Sequence, residues 1–212
     1  MFTLFDKGGP LMYLILLCSV FALAIFLERF IHLYRAGIDT EKFMTNLNNN
    51  IRKNKIKDAI ELCEIMPSPI AYIFKKGLLK YDRSREEIKQ AIEDAGGHEI
   101  PRLEKNLNML ATIVQIAPLL GLLGTVTGMI AAFKVIQAKA ALGIAVSPGD
   151  LAGGIWEALI TTAAGLVVAI PAYVAHNYLV SRVNLIVLEM EEKSKEFINL
   201  LISGKKEEEN EI

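Results

Sequence analysis

Three long apolar blocks dominate the sequence and restrict the folds that are open to it. They cover residues 11–33, 109–133 and 151–179, and the charged residues collect between and after them. A bilayer core of ~30 Å is crossed by about 20 apolar residues in a helix, and each block reaches that length. The chain is also 52% hydrophobic, with a mean hydropathy of +0.35. We therefore predict an all-α integral membrane protein with three transmembrane helices.

Charge and composition argue against several other functions. The formal net charge of −1 gives no electrostatic basis for binding nucleic acid. Cys18 lies in the first apolar block and Cys63 in a charged segment, so we expect no disulfide between them. The three histidines are scattered, and the sequence has no phosphate-binding glycine loop or hydrolase motif. We therefore expect neither an enzyme nor a metal or cofactor site.

The flanks of the first block indicate a retained helix rather than a cleaved signal peptide. Residues 1–10 contain a single basic residue, Lys7, and end in Pro10, which suits the first turn of a helix. Arg29 and Arg35 come at the other end of the block, whereas a signal peptide carries its basic residues in front. This pattern predicts a transmembrane helix over residues 11–33 with its N-terminus outside.

Residues 34–108 form a charged segment with helical periodicity. The segment contains 14 Lys and Arg and 12 Asp and Glu, and its apolar residues recur at helical spacing. The run Pro67-Ser68-Pro69 should end one helix, and Ser84 with Glu87 should cap the start of another. Gly96-Gly97 and Pro101 are expected to bend or interrupt that helix. We interpret the segment as a helical domain outside the bilayer.

The second block combines a proline with a stripe of small residues. Pro118 lies inside the predicted span, where a proline usually kinks the helix. Gly121, Gly124 and Gly128 recur on one face, and such a stripe lets a second membrane helix approach closely. These positions are therefore candidates for the kink and for helix packing, together with Pro171 of the third block.

The third block carries polar groups inside an apolar run. Glu157 precedes Thr161 and Thr162, and only Ala158, Leu159 and Ile160 separate them. An ionisable group within a span costs roughly 2.5–3.5 kcal/mol on insertion scales, so such groups usually face a partner helix or water. Glu157 is therefore a candidate functional residue, and the alternative is a carboxylate that simply reaches the headgroup water. The apolar stripe continues beyond the block, so we expect this helix to extend out of the membrane.

The distribution of basic residues predicts the orientation. The 34–108 segment holds 14 of them and residues 180–212 hold five, whereas the 134–150 loop holds two and residues 1–10 hold one. Basic residues favour the cytoplasmic side. We therefore place 34–108 and 180–212 in the cytoplasm, and 1–10 and the 134–150 loop on the periplasmic side.

Two runs within the spans resemble a known family. The second span contains APLLGLLGTVTG at 117–128, and the third contains EALITTAAGLVVAIPA at 157–172. In order and spacing these runs are similar to the MotA/TolQ/ExbB proton-channel family, and more closely to its TolQ/ExbB branch. The family's usual Pro-Gly pair before the glutamate is replaced here by Gly153-Gly154.

The resemblance implies a non-enzymatic motor subunit of the bacterial inner membrane. Such subunits form a ring, expected to be a pentamer, around an ExbD/TolR-like single-span dimer that carries a titrating aspartate. The proton motive force drives the assembly, which energises outer-membrane transport or envelope maintenance, in some cases through a TonB/TolA-like protein. We further predict that the apolar stripe on the helix after the third span packs between subunits and surrounds the cytoplasmic pore mouth; its residues are Val183, Ile186, Met190 and Phe197.

The resemblance also assigns roles to residues within the spans. Thr125 and Thr162 match the family's pore threonines, and Thr161 is a further candidate for the ion pathway. Glu157 matches the intramembrane glutamate. Because it lies about 140° from Thr162 around the helix, we assign it to gating or assembly. The alternatives are a flagellar-stator-like subunit and a membrane scaffold or transporter accessory in which these residues only pack.

Overall fold

The computed structural model describes residues 8–37 and 40–210, with side chains described through residue 203. Within these residues it consists of α-helices and short connections. In chain order they are α1 (Leu11–Ala36), α2 (Thr40–Arg52), α3 (Ile56–Ile65), α4 (Pro69–Leu78), α5 (Arg85–Leu103), α6 (Leu107–Ala141) and α7 (Pro148–Asn210). The predicted all-α class is confirmed.

Three stretches of helix have the length and apolar composition needed to cross a membrane. They contain α1, α6 and the first half of α7, as the three apolar blocks predict. Helix α6 extends to Ala141, eight residues past the predicted end of the span at Phe133. The sequence KVIQAKAA continues it because Ala, Lys and Gln are good helix formers even where the apolar run has ended.

The connection between α6 and α7 is correspondingly short. Only residues 142–147 lie between the two helices, in place of the predicted loop of 134–150. An ion pair between Lys139 and Asp150 bridges the helix ends. The backbone N–H and the hydroxyl of Ser147 both donate to the Asp150 carboxylate, at 2.8 and 3.1 Å. The connection is therefore stabilised by polar contacts at both of its ends.

The chain divides into two compact units, and each is described by itself. The first unit contains residues 1–28 and 106–178, and thus most of α1, all of α6 and the first half of α7. The second contains residues 29–105 and 179–212, and thus α2 to α5 with the end of α1 and the second half of α7. The predicted helical domain corresponds to most of the second unit.

The helices of the second unit begin and end largely where the prolines and the capping serine predict. Helix α3 ends at Ile65 and α4 begins at Pro69, so the Pro67-Ser68-Pro69 run separates two helices. Ser84 is the N-cap of α5, and its hydroxyl accepts from the Glu87 backbone N–H. The expected break at Gly96-Gly97 or Pro101 is absent, because α5 continues to Leu103. A bend at these residues was the other expectation, and it stays a prediction.

The core of the second unit corrects one expectation. Phe197 stacks on Phe74 with ring centroids 4.2 Å apart, and Phe74 in turn stacks on Phe43. Met190 is only 3% exposed and Phe197 is fully buried. The stripe of Val183, Ile186, Met190 and Phe197 thus packs against helices of its own chain. The prediction that it packs between subunits is wrong, because this face is already covered within the subunit.

Candidate functional site

Helices α6 and α7 contact each other through small residues in the first unit. From Ala117 onward the buried positions of α6 are Ala117, Gly121, Gly124, Gly128 and Ala132, and those of α7 include Ala158, Thr161 and Gly165. A Cβ on Gly165 would lie 2.6 Å from the Ala117 carbonyl oxygen, and one on Gly128 would lie 2.7 Å from that of Gly154. The two backbones are thus in direct contact, which is the packing predicted for the glycine stripe.

The order of these contacts fixes the register of the pair. Gly165 lies against Ala117, Gly121 lies against Thr161 and Thr162, and Gly128 lies against Gly154 and Ala158. Positions rise along α6 as they fall along α7, so the helices run antiparallel. This register brings the three candidate threonines within about two helical turns of one another.

Thr161 lies at the centre of the contact between the two helices. It is 1% exposed, and a Cβ on Gly124 would overlap its hydroxyl. That hydroxyl donates to the carbonyl oxygens of Glu157 and Ala158 in its own helix, both at 3.0 Å. Within the subunit Thr161 is therefore a packing residue whose hydrogen bonds are satisfied locally.

Thr162 is half-buried beside the same contact, and its hydroxyl crosses between the helices. The hydroxyl donates to the Gly121 carbonyl oxygen of α6 at 2.9 Å. In a regular α-helix this carbonyl also accepts the backbone N–H of Thr125, four residues on. One carbonyl of α6 therefore connects the Thr162 side chain with the backbone of Thr125.

Thr125 lies on the same side of the helix pair as Thr162. At 100° per residue, Thr125 is rotated about 60° from the middle of the buried face of α6, and Thr162 is rotated by a similar angle on α7. Because the helices are antiparallel, rotation in the same sense turns both side chains to one side of the pair. Thr125 is half-buried, and its hydroxyl donates to the Leu122 carbonyl oxygen of its own helix.

Glu157 lies on the opposite side of the pair. It is rotated about 75° from the buried face of α7, away from Thr162. Its carboxylate lies against the turn before α1, because a Cβ on Gly9 would overlap Glu157 Oε1. Among the residues that the structure describes, none forms a hydrogen bond or an ion pair with this carboxylate. Trp156 beside it is 52% exposed.

Several residues of this arrangement were not singled out as site residues from the sequence. Gly154 and Gly165 are the α7 counterparts of the α6 glycines. The spacing of Gly154 to Ala158 and of Thr161 to Gly165 is the same small-residue pattern, so the signal was present. The contact of Gly9 with Glu157 had no such signal, since the two are 148 positions apart.

The two prolines inside the apolar helices do not end them. Helix α6 continues through Pro118, and α7 continues through Pro171. A proline removes one backbone hydrogen bond, which a long helix can tolerate when its neighbours pack against it. The kink predicted at these positions stays a prediction.

Comparison with known proteins identifies the family. The model of the MotA/TolQ/ExbB proton channel family matches residues 65–192. The Neisseria meningitidis serogroup A biopolymer transport protein ExbB is 31% identical over 193 residues, covering 82% of this chain and 84% of the relative. The Haemophilus influenzae Tol-Pal system protein TolQ is 42% identical over 113 residues, covering 53% of this chain and 47% of the relative.

A longer relative gives a similar result. The putative ExbB homologue of Methanothermobacter thermautotrophicus is 30% identical over 182 residues, covering 85% of this chain. This chain spans 63% of that relative's length. The range matched by the family model, residues 65–192, contains Thr125, Glu157 and Thr162. With its three apolar helices, the chain is a multi-pass membrane protein that belongs to the MotA/TolQ/ExbB proton channel family, in its TolQ/ExbB branch.

Proposed function

We propose that this chain is the channel subunit of an energy-transducing complex in a bacterial inner membrane. It assembles as a homopentamer around an ExbD/TolR-like single-span dimer and uses the proton motive force to energise outer-membrane transport or envelope maintenance. Membership of the family and the three apolar helices support this function. The relatives named ExbB and TolQ support a transport role rather than an enzymatic one.

The observation that carries the proposal is the position of two threonines. Thr125 and Thr162 lie on one side of the α6–α7 pair, within the apolar stretches of the two helices. When several copies surround a central axis with this side inward, the two hydroxyls form a polar ring. A hydroxyl is both a donor and an acceptor, so such a ring can hold water or relay a proton without a fixed charge.

The Thr162 hydroxyl is the more direct candidate for contact with the partner. Its bond to the Gly121 carbonyl holds it at the contact between α6 and α7. A rotation about its χ1 angle exchanges this acceptor for a group on the other side, such as the partner's aspartate. Thr161 is set back in the helix contact, so its contribution to the pathway is indirect.

Glu157 serves gating or assembly in this proposal rather than proton transfer. Its side chain lies on the side of α7 away from Thr162, against the turn that precedes α1. Any movement of this turn relative to α7 changes the surroundings of the Glu157 carboxylate. The substitution Glu157→Gln keeps the shape and removes the charge, so it separates a packing role from a charge-dependent one.

The orientation follows from the distribution of basic residues, with the second unit in the cytoplasm. Leu79 and Leu142 are 56% and 74% exposed, and each lies outside the three apolar blocks. In a background without Cys18 and Cys63, Leu142→Cys should react with an impermeant thiol reagent in cells whose inner membrane is intact. Leu79→Cys should react only after that membrane is opened, and the reverse pattern would invert the orientation.

The function is tested by the substitution Thr162→Val. Valine is nearly isosteric with threonine but has no hydroxyl, so we expect loss of motive-force-dependent client activity with the oligomer and the partner retained. Thr161→Val should have a milder effect, because that hydroxyl bonds only within its own helix. The measurement is client activity beside co-purification of the single-span partner. Full activity of Thr162→Val would contradict the proposal.

A membrane scaffold is the second candidate function. It is favoured by the Thr125 and Thr161 hydroxyls, which bond to carbonyls of their own helices and need no other partner. A scaffold requires the helix packing and not the hydroxyls. It would therefore retain its function in Thr162→Val and lose it only when the oligomer or the partner complex dissociates.

A further inference from the structure

The turn before α1 makes a close contact with the intramembrane glutamate. Gly9 has a φ of +67°, which L side chains rarely adopt. The position that its Cβ would occupy is taken by Glu157 Oε1. Beside it, Gly8 approaches Met12 of α1 and Ile160 of α7, whose Cγ2 would lie 3.4 Å from a Gly8 Cβ. The backbone of residues 8–10 thus contacts α7 next to the Glu157 carboxylate.

A second glycine shows that the backbone conformation alone does not explain this contact. Gly143, in the connection between α6 and α7, has a φ of +68°. Nothing lies within 4 Å of the position of its Cβ. The two glycines therefore share a positive φ and differ in surroundings, since of the two only Gly9 has another group in the space that a side chain would take.

We propose that Gly9 is a positioning residue for Glu157, and that the turn of residues 8–10 covers the outer side of this carboxylate. The turn lies on the face of α7 away from Thr162, so the cover and the proposed ion pathway are on opposite sides of the helix pair. Because Gly9 has no side chain, the carboxylate rests directly against the backbone of the turn. Glu157 reaches external water when the turn moves.

The cover concerns the access of water and reagents to Glu157. Its consequence for transport rests on the proposed function, and the side from which a reagent reaches Glu157 rests on the proposed orientation. If Glu157 gates the complex, the position of the turn sets how readily it does so. If the complex has another function, the turn still shields the carboxylate. A chemical measurement at Glu157 therefore separates a failure of this inference from a failure of the proposed function.

The test compares Gly9→Ala with Gly143→Ala in membranes that contain the whole complex. A water-soluble carbodiimide with a charged amine is applied from the outside, and modification of Glu157 is followed by mass spectrometry, with Glu157→Gln as the blank. In Gly9→Ala the methyl group and the carboxylate cannot share one position, so we expect modification to become about tenfold faster, as strain of this kind shifts a local opening equilibrium. Gly143→Ala has the same backbone strain without the overlap, and its Glu157 should react at the wild-type rate.

Two results would overturn the inference. One is an unchanged or slower reaction of Glu157 in Gly9→Ala, and the other is an equal acceleration in both alanine variants. If Gly9→Ala fails to accumulate in the membrane, the double variant Gly9→Ala with Glu157→Asp decides. Aspartate is one methylene shorter and vacates the position of the methyl group, so accumulation should be restored, whereas continued failure would show that the carboxylate is not the obstacle.

Discussion

The Thr162 hydroxyl donates a hydrogen bond to the Gly121 carbonyl oxygen, which lies 2.9 Å away on the neighbouring helix. This carbonyl is also the regular helical acceptor of the Thr125 N–H. Thr162, which we propose for the ion pathway, is thus held by the backbone of α6. The same helix carries Thr125, the other threonine proposed for the pathway. The cross-helix bond also contributes to packing, on the order of 0.6 kcal/mol for hydrogen bonds within membranes.

Thr162→Ser provides the sharpest comparison with the valine variant. Serine keeps a hydroxyl that can reach Gly121 and loses only a methyl group, so we expect most of the client activity to remain. Both variants disturb packing slightly, and valine alone removes the donor. Motive-force-dependent client activity, normalised to the amount of assembled complex, is the measurement. Equal losses in the serine and valine variants would assign Thr162 a packing role.

Gly124→Ala should weaken the contact between α6 and α7. The added methyl group would overlap the Thr161 side chain, which is buried and cannot leave. Overpacking of this kind costs about 1–3 kcal/mol, measurable as a lower melting temperature of the detergent-extracted complex. Gly153→Ala is the matched control on α7, because nothing lies within 4 Å of the added Cβ. Equal melting temperatures for the two variants would contradict the packing described for Gly124.

Met190→Lys should destabilise the helical second unit itself. Met190 is 3% exposed and lies among apolar side chains. A lysine at this position would bury its charged amine in an apolar core, which is costly because the amine loses its water. We expect a loss of about 3 kcal/mol or more in the free energy of unfolding, seen as increased proteolysis of the unit in membranes. Leu188→Lys, at a position that is 60% exposed, should leave this resistance unchanged. A stable second unit in Met190→Lys, with dissociated subunits, would restore the intersubunit interpretation.

Cys63 should be unreactive towards thiol reagents while the second unit is folded. Burial raises the pKa of its thiol to about 12, partly offset by nearby Lys75. At pH 8 the thiolate, which is the reactive form, is then about one molecule in 10⁴. In a background of Cys18→Ala, maleimide should label Cys63 only after denaturation. The control is Ile65→Cys in a background of Cys18→Ala and Cys63→Ala. Ile65 lies two residues from Cys63 and its side chain is 73% exposed, so maleimide should label a cysteine there without denaturation.

The same thiol gives a pH dependence with a defined sign. Its pKa in the folded chain lies above the unfolded value of 9.0, so the folded state holds the proton more tightly. The contribution of this group to stability is therefore complete below about pH 9 and is lost as the pH rises towards 12. Wild type should lose more resistance to denaturant over this range than Cys63→Ala. Identical losses would show that the thiol is not shielded.

The sequence was sufficient for those features that depend on local pattern. The three spans follow from runs of apolar residues, the start of α5 follows from Ser84 with Glu87, and the gap between α3 and α4 follows from two prolines. The stripe of Gly121, Gly124 and Gly128 predicted that another membrane helix can approach α6 closely, but it did not say that this helix is α7.

Features that depend on tertiary packing were missed. An apolar stripe at helical spacing shows that a face is buried but not what buries it, and for Met190 and Phe197 the answer was the same chain. The acceptor of the Thr162 hydroxyl could not be predicted either, since it depends on the register of two helices. The contact of Gly9 with Glu157 joins distant parts of the chain, and a single sequence gives no sign of it.

Trp156 is the sole tryptophan of the chain, and it lies next to Glu157 in the apolar half of α7. The indole is 52% exposed. Tryptophan emission from this subunit therefore arises at a single point, one residue from the carboxylate that the turn of residues 8–10 covers. Changes in the emission wavelength or in the quenching of Trp156 will therefore report movements around Glu157 without an attached dye.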